Sequence, residues 1–390
     1  MNLYSYIPLI LIFCAAYYSL VQLGLLVGLF RLPSPTNRSQ PRVSVIVAAR
    51  NEEHRMEWVL DALWRQTYPE VEVIIVDDRS TDRTVEIVKA HQQSAQNVHL
   101  VNIKHVPAGF PAKKNALNEG IRASTGEILF FTDADCLPPP DWISTVVAFF
   151  EDPVGVVAGY SPYDSALLPS ESRIGFWRSL LQRFVAGEEL KGAVWSAGSI
   201  GLNLAWLCTG RNLAYRRKVF GEVGGFERIK MSISGDDDLF IQLVRRATRW
   251  KIRYALNPES HVPTPPPETF PEFVQQRTRH FSAGKFFTLP MKTFFFLFHV
   301  SNLLLLIGFI GCFFSRELAL SGVLAFLAKI VFDFLLTLTA VRRFGLTGSR
   351  GTSLIGGFLL TEILYIFYNT FIGPLGFIRK FDWKPDRTKS

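Results

Sequence analysis

The sequence predicts an α/β protein: a doubly wound, mixed but mostly parallel sheet set between one N-terminal membrane helix and about three C-terminal ones. Three observations carry this. From about residue 41, short apolar runs alternate with amphipathic ones, the order that builds parallel sheets with right-handed crossovers. Long, almost uncharged stretches lie at the two ends of the chain. Between them, the predicted strands run into carboxylates and amides on one rim, and open α/β sheets bind ligands outside the carboxyl ends of their strands.

The first stretch, Tyr4 to Phe30, carries no charge and is long enough to span a bilayer. A cleavable signal peptide is the alternative, but a basic start and a small-residue cleavage site are both missing, so residues 1–30 read as a retained anchor. Val43 to Ala48 is a compact apolar run suited to a buried strand. Met56, Val59, Leu60, Leu63 and Trp64 follow at the spacing of an amphipathic helix. Val71 to Val76 forms the second strand and ends in Asp77-Asp78. Thr81-Asp82 then place short polar side chains where a helix N-cap belongs, ahead of Val85 and Val88. Val98 to Ile103 is a third strand and Ala116 to Ile121 part of a third helix.

The fourth strand, Ile128 to Phe131, leads into Thr132-Asp133-Ala134-Asp135-Cys136. Residues two apart on a strand share a face, so Asp133 and Asp135 can present two carboxylates to one point. Hard oxygen ligands of this kind suit a divalent metal that also holds a phosphate. The alternative is that they cap a turn.

Past the sheet, Pro263-Thr264-Pro265-Pro266-Pro267 is rigid and extended and delivers Glu272 to Lys285 as an amphipathic segment, with Phe270, Phe273, Phe281, Phe286 and Phe287 suited to interfacial burial. Three more apolar runs follow: Thr293 to Phe314, Leu318 to Val341 and Ser353 to Ile378. Lys329 and Asp333 are four apart on one helix face and are expected to neutralise each other inside the bundle; Glu362 has no evident partner. The organisation expected is an anchor (1–30), a catalytic domain (41–270), an interfacial segment (271–292), membrane helices (293–378) and a basic tail (379–390). Four crossings from an outward N-terminus would leave that tail outside, against the positive-inside rule. Gly373-Pro374 interrupts the last run, so one C-terminal segment is expected to be interfacial or re-entrant.

Hydrophobic residues make up 48% of the 390, with 33 Phe, as membrane segments require. The net charge of +8 concentrates where Arg31, Arg38, Arg342, Arg343 and Arg350 flank the apolar runs, which makes the membrane and its anionic headgroups a partner. No basic stripe interleaved with aromatics appears, so nucleic acid is excluded. The four cysteines show neither disulfide nor metal spacing, consistent with a reducing, cytoplasmic setting. Strand one is not followed by G-x-G-x-x-G, and no G-x-x-x-x-G-K-[ST] occurs, which argues against dinucleotide and P-loop sites. A nucleotide whose diphosphate is held through a metal remains.

Several segments, taken in order, resemble family 2 (GT-A fold) inverting glycosyltransferases of the membrane-bound branch, similar to ceramide glucosyltransferase-like and polysaccharide synthase-like enzymes. These are Val45 to Glu53, Val76-Asp77-Asp78-x-Ser80-x-Asp82, Lys113-x-x-Ala116-Leu117-Asn118 and Asp133-x-Asp135. Thr209-Gly210-Arg211-Asn212 with Gly224-Gly225-Phe226, Gly235-Asp236-Asp237-Asp238-Leu239, and Gln276-Arg277-Thr278-Arg279-His280 complete the set. The resemblance implies that Asp78, or Asp77, accepts hydrogen bonds from the base of a nucleotide-sugar, usually uracil and hence UDP. Glu52 and the Ala49 backbone would line the same pocket. Lys113 would face the diphosphate, Asp133 the ribose or sugar, and Asp135 would ligate Mg2+ or Mn2+. The family shows Glu-Asp-x-x-Leu where Gly235 stands here. Aligning on Leu239 makes Asp236 the base that deprotonates the acceptor hydroxyl, and a one-residue shift makes it Asp237; a solvated helix N-terminus also accounts for the acidic run. Gln276 and Arg279 would sit beside diphosphate and acceptor. His280 replaces the family's Trp, whose stacking platform serves chain extension.

The expectation is therefore transfer of one sugar to a lipid or lipid-linked acceptor by an integral protein of a bacterial inner membrane, with its catalytic domain cytoplasmic. A processive polysaccharide synthase, a lipid nucleotidyltransferase and an inactive scaffold are the alternatives. Trp177, Phe184, Trp195 and Trp206 are candidates for an acceptor tunnel or for ordinary core.

Overall fold

The computed structural model describes residues 6–169 and 175–379. Among the described residues, seven strands form one mixed sheet: β1 (Val43–Ala49), β2 (Val71–Asp78), β3 (Val98–Ile103), β4 (Ile128–Asp133), β5 (Val154–Gly159), β6 (Leu213–Arg216) and β7 (Lys251–Ala255). Their order is β3-β2-β1-β4-β6-β5-β7, a GT-A type arrangement. β6 alone runs antiparallel, to both β4 and β5. The helices are α1 (Ile7–Arg31), α2 (Met56–Trp64), α3 (Thr84–Gln92), α4 (Ala112–Ala123), α5 (Trp142–Val147), α6 (Phe176–Gly201), α7 (Arg217–Glu222), α8 (Asp238–Ala247) and α9 (Phe270–Ser282), then α10 (Leu289–Gly311), α11 (Arg316–Arg343), α12 (Gly348–Gly356), α13 (Phe358–Phe367) and α14 (Leu375–Ile378).

Every residue of β1 is buried because helices cover both faces of the sheet, as an unbroken apolar strand requires. Val45, Val47, Val73 and Ile75 enter a core shared with α2 and α5. Ile46, Ile74, Leu129 and Leu213 point the other way, into a core that continues through Trp195 and Phe298 to Tyr18 of the first membrane helix. The sheet and the membrane bundle thus share one apolar interior. In α2 the expected stripe is buried except for Trp64, which is 55% exposed.

Three strands extend past their expected ends, β1 by the single residue Ala49. β2 includes Asp77 and Asp78, which strand alternation sends to opposite faces. β4 ends at Asp133, so Asp135 is not a strand residue but lies in the turn closed by the Cys136 N–H donating to the Asp133 carbonyl at 3.2 Å. The second helix starts at Thr84 rather than at Thr81-Asp82; Asp82 Oδ1 accepts from the Thr84 N–H at 3.0 Å.

Among the described residues, four apolar helical stretches are long enough to cross a membrane: Ile7–Arg31, Leu289–Gly311, Arg316–Arg343 and Phe358–Ile378. α1 lies parallel to α11, with the Tyr18 hydroxyl 3.0 Å from Asp333 and Arg343 Nη2 donating to the Leu29 carbonyl at 3.1 Å. Where α1 crosses α6, a Cβ on Gly28 would strike the Gly198 backbone; only glycine permits that approach. Lys329 donates to Asp333 at 2.6 Å, as expected, and to Glu362 at 2.8 Å. The second partner of Glu362 is Lys191 of α6, at 2.5 Å. Two cations therefore balance two carboxylates inside the bundle. The last run is broken: α13 passes into a π turn, Tyr368–Ile372, then Gly373-Pro374. α14 packs back on α9, with Gly376 against Phe281. Replacing Lys329 with Met leaves a buried carboxylate uncompensated, and a loss of about 3–5 kcal/mol is expected. It should appear as a lower unfolding midpoint in detergent; an unchanged midpoint would contradict the balance described.

Candidate functional site

A cavity of about 930 Å³ opens at the carboxyl ends of the central strands and runs toward α10 and α14. Its polar end is walled by Lys113, Asp133, Asp135, Asp236 and Asp237, with Gln276 and Arg279 from α9. Its apolar end is walled by Trp195, Phe287, Phe295, Phe296, Phe377 and Ile378. Ala49, Glu52 and Asp78 are not on these walls; they stand at the adjacent ends of β1 and β2.

Lys113, in the first turn of α4, ties the polar end together. Its Nζ donates to Asp133 Oδ1 at 3.0 Å and lies 3.4 Å from Asp236 Oδ2. Burial works to lower the Lys113 pKa, but these carboxylates outweigh it and hold the ammonium above its ordinary value. Asp133 responds in the opposite sense: burial would raise it, and Lys113 brings it below the usual carboxylate range. Asp135 pairs with Arg55 at 3.8 Å. Among the described residues, no group of three or more His, Cys, Asp or Glu is arranged to hold a metal ion. Two carboxylates beside an open cavity nevertheless fit a divalent ion that takes its remaining ligands from water and substrate phosphates.

In the acidic run, the three aspartates have separate tasks. Asp237 is the N-cap of α8: its Oδ1 accepts from the Asp238 N–H at 2.7 Å and its Oδ2 from the Gly210 N–H at 2.9 Å. Asp238 accepts from the Cys208 N–H at 2.7 Å. Burial, then the neighbouring aspartates, push both carboxyls up. Asp236 is left facing Lys113 across the cavity. Gly235, where the family resemblance calls for glutamate, has φ +80°. A side chain is strained there, and a Cβ would crowd Leu239.

A second charged group also lines the cavity. Arg277 pairs with Glu188 and, at 3.5 Å, with Glu189; Arg211 donates to Glu189 at 2.7 Å. Burial pushes Glu188 up to about 7 in spite of Arg277. Gln276 Oε1 accepts from the Tyr163 hydroxyl at 3.1 Å. His280 lines the cavity, and burial together with Arg277 and Arg279 keeps its pKa low. Neither Glu188 nor Arg277 stands out in the sequence, because their partners are distant along the chain. Of the four aromatic candidates, Trp195 lines the cavity, Trp206 packs on Phe294 at 4.7 Å, Phe184 packs on Phe273, and Trp177 is 76% exposed.

On the β1–β2 side, Asp78 is fully buried and accepts from Arg79 Nε at 2.9 Å, with Arg50 at 3.9 Å. Asp77, also buried, accepts from the Ser80 N–H at 3.3 Å. Ser80, Asp82 and Thr84 in turn accept from the N–H groups of Asn51, Glu53 and Glu52 at 2.9, 3.0 and 2.8 Å. The serine and aspartate of the second motif thus fix the loop after β1, which leads to Arg55 and so to Asp135.

Gly235→Ala is expected to destabilise the protein by about 1–2 kcal/mol, the cost of a left-handed conformation, measured as a lower unfolding midpoint. An unchanged midpoint would contradict the backbone requirement.

Residues 44–224 match the family described as Glycosyl transferase family 2. The probable glycosyltransferase YdaM of Bacillus subtilis is 27% identical over 266 residues, which are 66% of this chain and 58% of that protein. The beta-monoglucosyldiacylglycerol synthase of Synechocystis sp. is 29% identical over 220 residues, 56% of this chain and 43% of that protein. The chain therefore spans about half the length of these relatives. Mannosyltransferase PcManGT from Pyrobaculum calidifontis, solved in complex with GDP-Man and Mn2+, superposes with a TM-score of 0.53 over 95% of this chain and 96% of its own, at 20% identity; the likeness is one of fold. The match to glycosyl transferase family 2, over residues 44–224, thus falls on the sheet of GT-A type.

Proposed function

We propose that this protein is an integral-membrane inverting glycosyltransferase that moves a single sugar from a nucleotide-sugar, a UDP-sugar in our reading, to the hydroxyl of a lipid or lipid-linked acceptor. The observation that carries this is the continuity of one cavity, from the carboxylates after β4 to the aromatic wall supplied by α10 and α14. The curated relative from Synechocystis is named for a glycolipid product, which agrees with an acceptor of that class.

In this reading the donor lies with its base over the ends of β1 and β2, where Ala49, Glu52 and Asp78 stand, and its diphosphate toward Lys113 and Arg279. Asp135, with Asp133 beside it, would hold Mg2+ or Mn2+, which when bound would supply positive charge to the departing diphosphate. Asp236 takes the proton from the acceptor hydroxyl as that oxygen attacks the anomeric carbon. Asp236 is favoured over Asp237 because both oxygens of Asp237 already accept backbone N–H groups. The acceptor's apolar part occupies the section lined by Phe287, Phe295 and Phe296, and Gln276 orients its head. The packing of α14 on α9 supports a re-entrant last segment; residues 380–390 of the expected basic tail lie outside the described residues. A bacterial inner membrane is the location we infer.

Asp236→Asn is expected to lower the transfer rate by about 10²–10⁴-fold, the usual worth of a positioned base, with donor affinity retained; full activity would remove the assignment. Asp135→Ala, and chelation of the wild type, should each abolish transfer measured with labelled nucleotide-sugar. Activity undiminished by a chelator would remove the metal.

A further inference from the structure

Lys113 faces the cavity, and its neighbour Lys114 points away from it. Lys114 is fully buried. Its ammonium donates to three backbone carbonyls, those of Ile229 at 2.8 Å, Ser232 at 2.6 Å and Ser234 at 2.9 Å. Ile229 closes the short helical turn Glu227–Ile229, and Ser232 and Ser234 lie in the irregular segment between that turn and α8. An ammonium has three N–H donors and no acceptor, so donors and carbonyls match one to one. The segment held in this way lines the cavity with Ile233, Ser234 and Gly235 and leads directly to Asp236. It is also tied to α9, where the Ser234 hydroxyl donates to the Arg279 carbonyl at 3.1 Å. Adjacent lysines of one helical turn therefore grip the same element, Lys113 through the Asp236 carboxylate and Lys114 through the backbone behind it.

We propose that Lys114 is a positioning residue for sugar transfer, its ammonium fixing the 229–235 loop and through it the place of Asp236. This rests on the reading of Asp236 as the base. Neutral amine cannot do the same work: it has two N–H donors, and its lone pair would face the third carbonyl oxygen. The charged groups that face the ammonium are Asp236 and Asp237 on the approach to α8 and Lys113 on its own helix. Burial pulls Lys114 down to about 8, with the two aspartates opposing. A rise in pH through that region removes the proton and loosens the loop.

The test uses the full chain in nanodiscs, as wild type, Lys114→Met and Lys114→Arg, with two readouts. Amide hydrogen exchange, corrected for the intrinsic effect of pH, is followed across 229–236. The kcat and the KM for the nucleotide-sugar are followed across pH. In the wild type, exchange in 229–236 is expected to rise, and kcat to fall, as pH passes about 8, with KM steady. Lys114→Met should show fast exchange confined to that segment at every pH. Its kcat should be lowered by as much as about 100-fold, the scale of a small misplacement, and should show no alkaline limb. Lys114→Arg, which stays protonated, should move the limb to higher pH. Wild-type exchange that does not change across pH 8, or an arginine variant with the wild-type limb, overturns the proposal even if the methionine variant proves too unstable to measure. An active Asp236→Asn variant would instead refute the base assignment, while loop exchange still reports on Lys114 itself.

Discussion

The contact on which the site depends is the bridge from Lys113 to Asp133 and Asp236. Two acidic segments far apart in sequence, one after β4 and one before α8, converge on a single partly buried space. The Lys113 ammonium stands between the two carboxylates and offsets their negative charge. In the proposed reading this leaves Asp133 beside the metal position and Asp236 facing the acceptor hydroxyl. Its place is set by the first turn of α4, which packs on β1 and β2 through Gly120 and Ile121.

The second constraint is that the core of the sheet and the core of the membrane bundle are one. Trp195 of α6 touches Phe295 and Phe298 of α10, and four residues earlier on the same helix Lys191 joins the balanced charges at Glu362 and Lys329. Glu188 and Glu189, again on α6, hold Arg277 and Arg211 beside the cavity. One helix thus couples the membrane segments, the apolar wall of the cavity and its second charged group. In the proposed transfer to a lipid acceptor, this coupling would hold the reacting hydroxyl at a fixed height above the membrane.

Much of this was legible in the sequence where periodicity is strong. The first four strands, their helices and the long apolar stretches follow from spacing alone, and the Lys329–Asp333 pair follows from an i, i+4 interval. The half of the sheet built from β5, β6 and β7 was not, since a strand of four residues such as Leu213–Arg216, ending in a charge, is too short to show a period. Asp135 was expected on a strand face and lies in a turn, because β4 ends two residues earlier. The contacts of Lys191 with Glu362, of Arg277 with Glu188 and of Lys114 with the 229–235 loop join positions that sequence spacing cannot relate. The division of labour among Asp236, Asp237 and Asp238 likewise becomes visible only once the backbone N–H groups of Cys208 and Gly210 are in place.

The most direct measurement is mass spectrometry of the lipids recovered after membranes containing the protein are incubated with a panel of UDP-sugars, with Asp236→Asn membranes as the control. A lipid heavier by one sugar residue, formed from one donor of the panel and missing in the control, is the expected result. A water-soluble polymer, or no sugar-bearing lipid with any donor, would contradict single transfer to an acceptor held in the membrane.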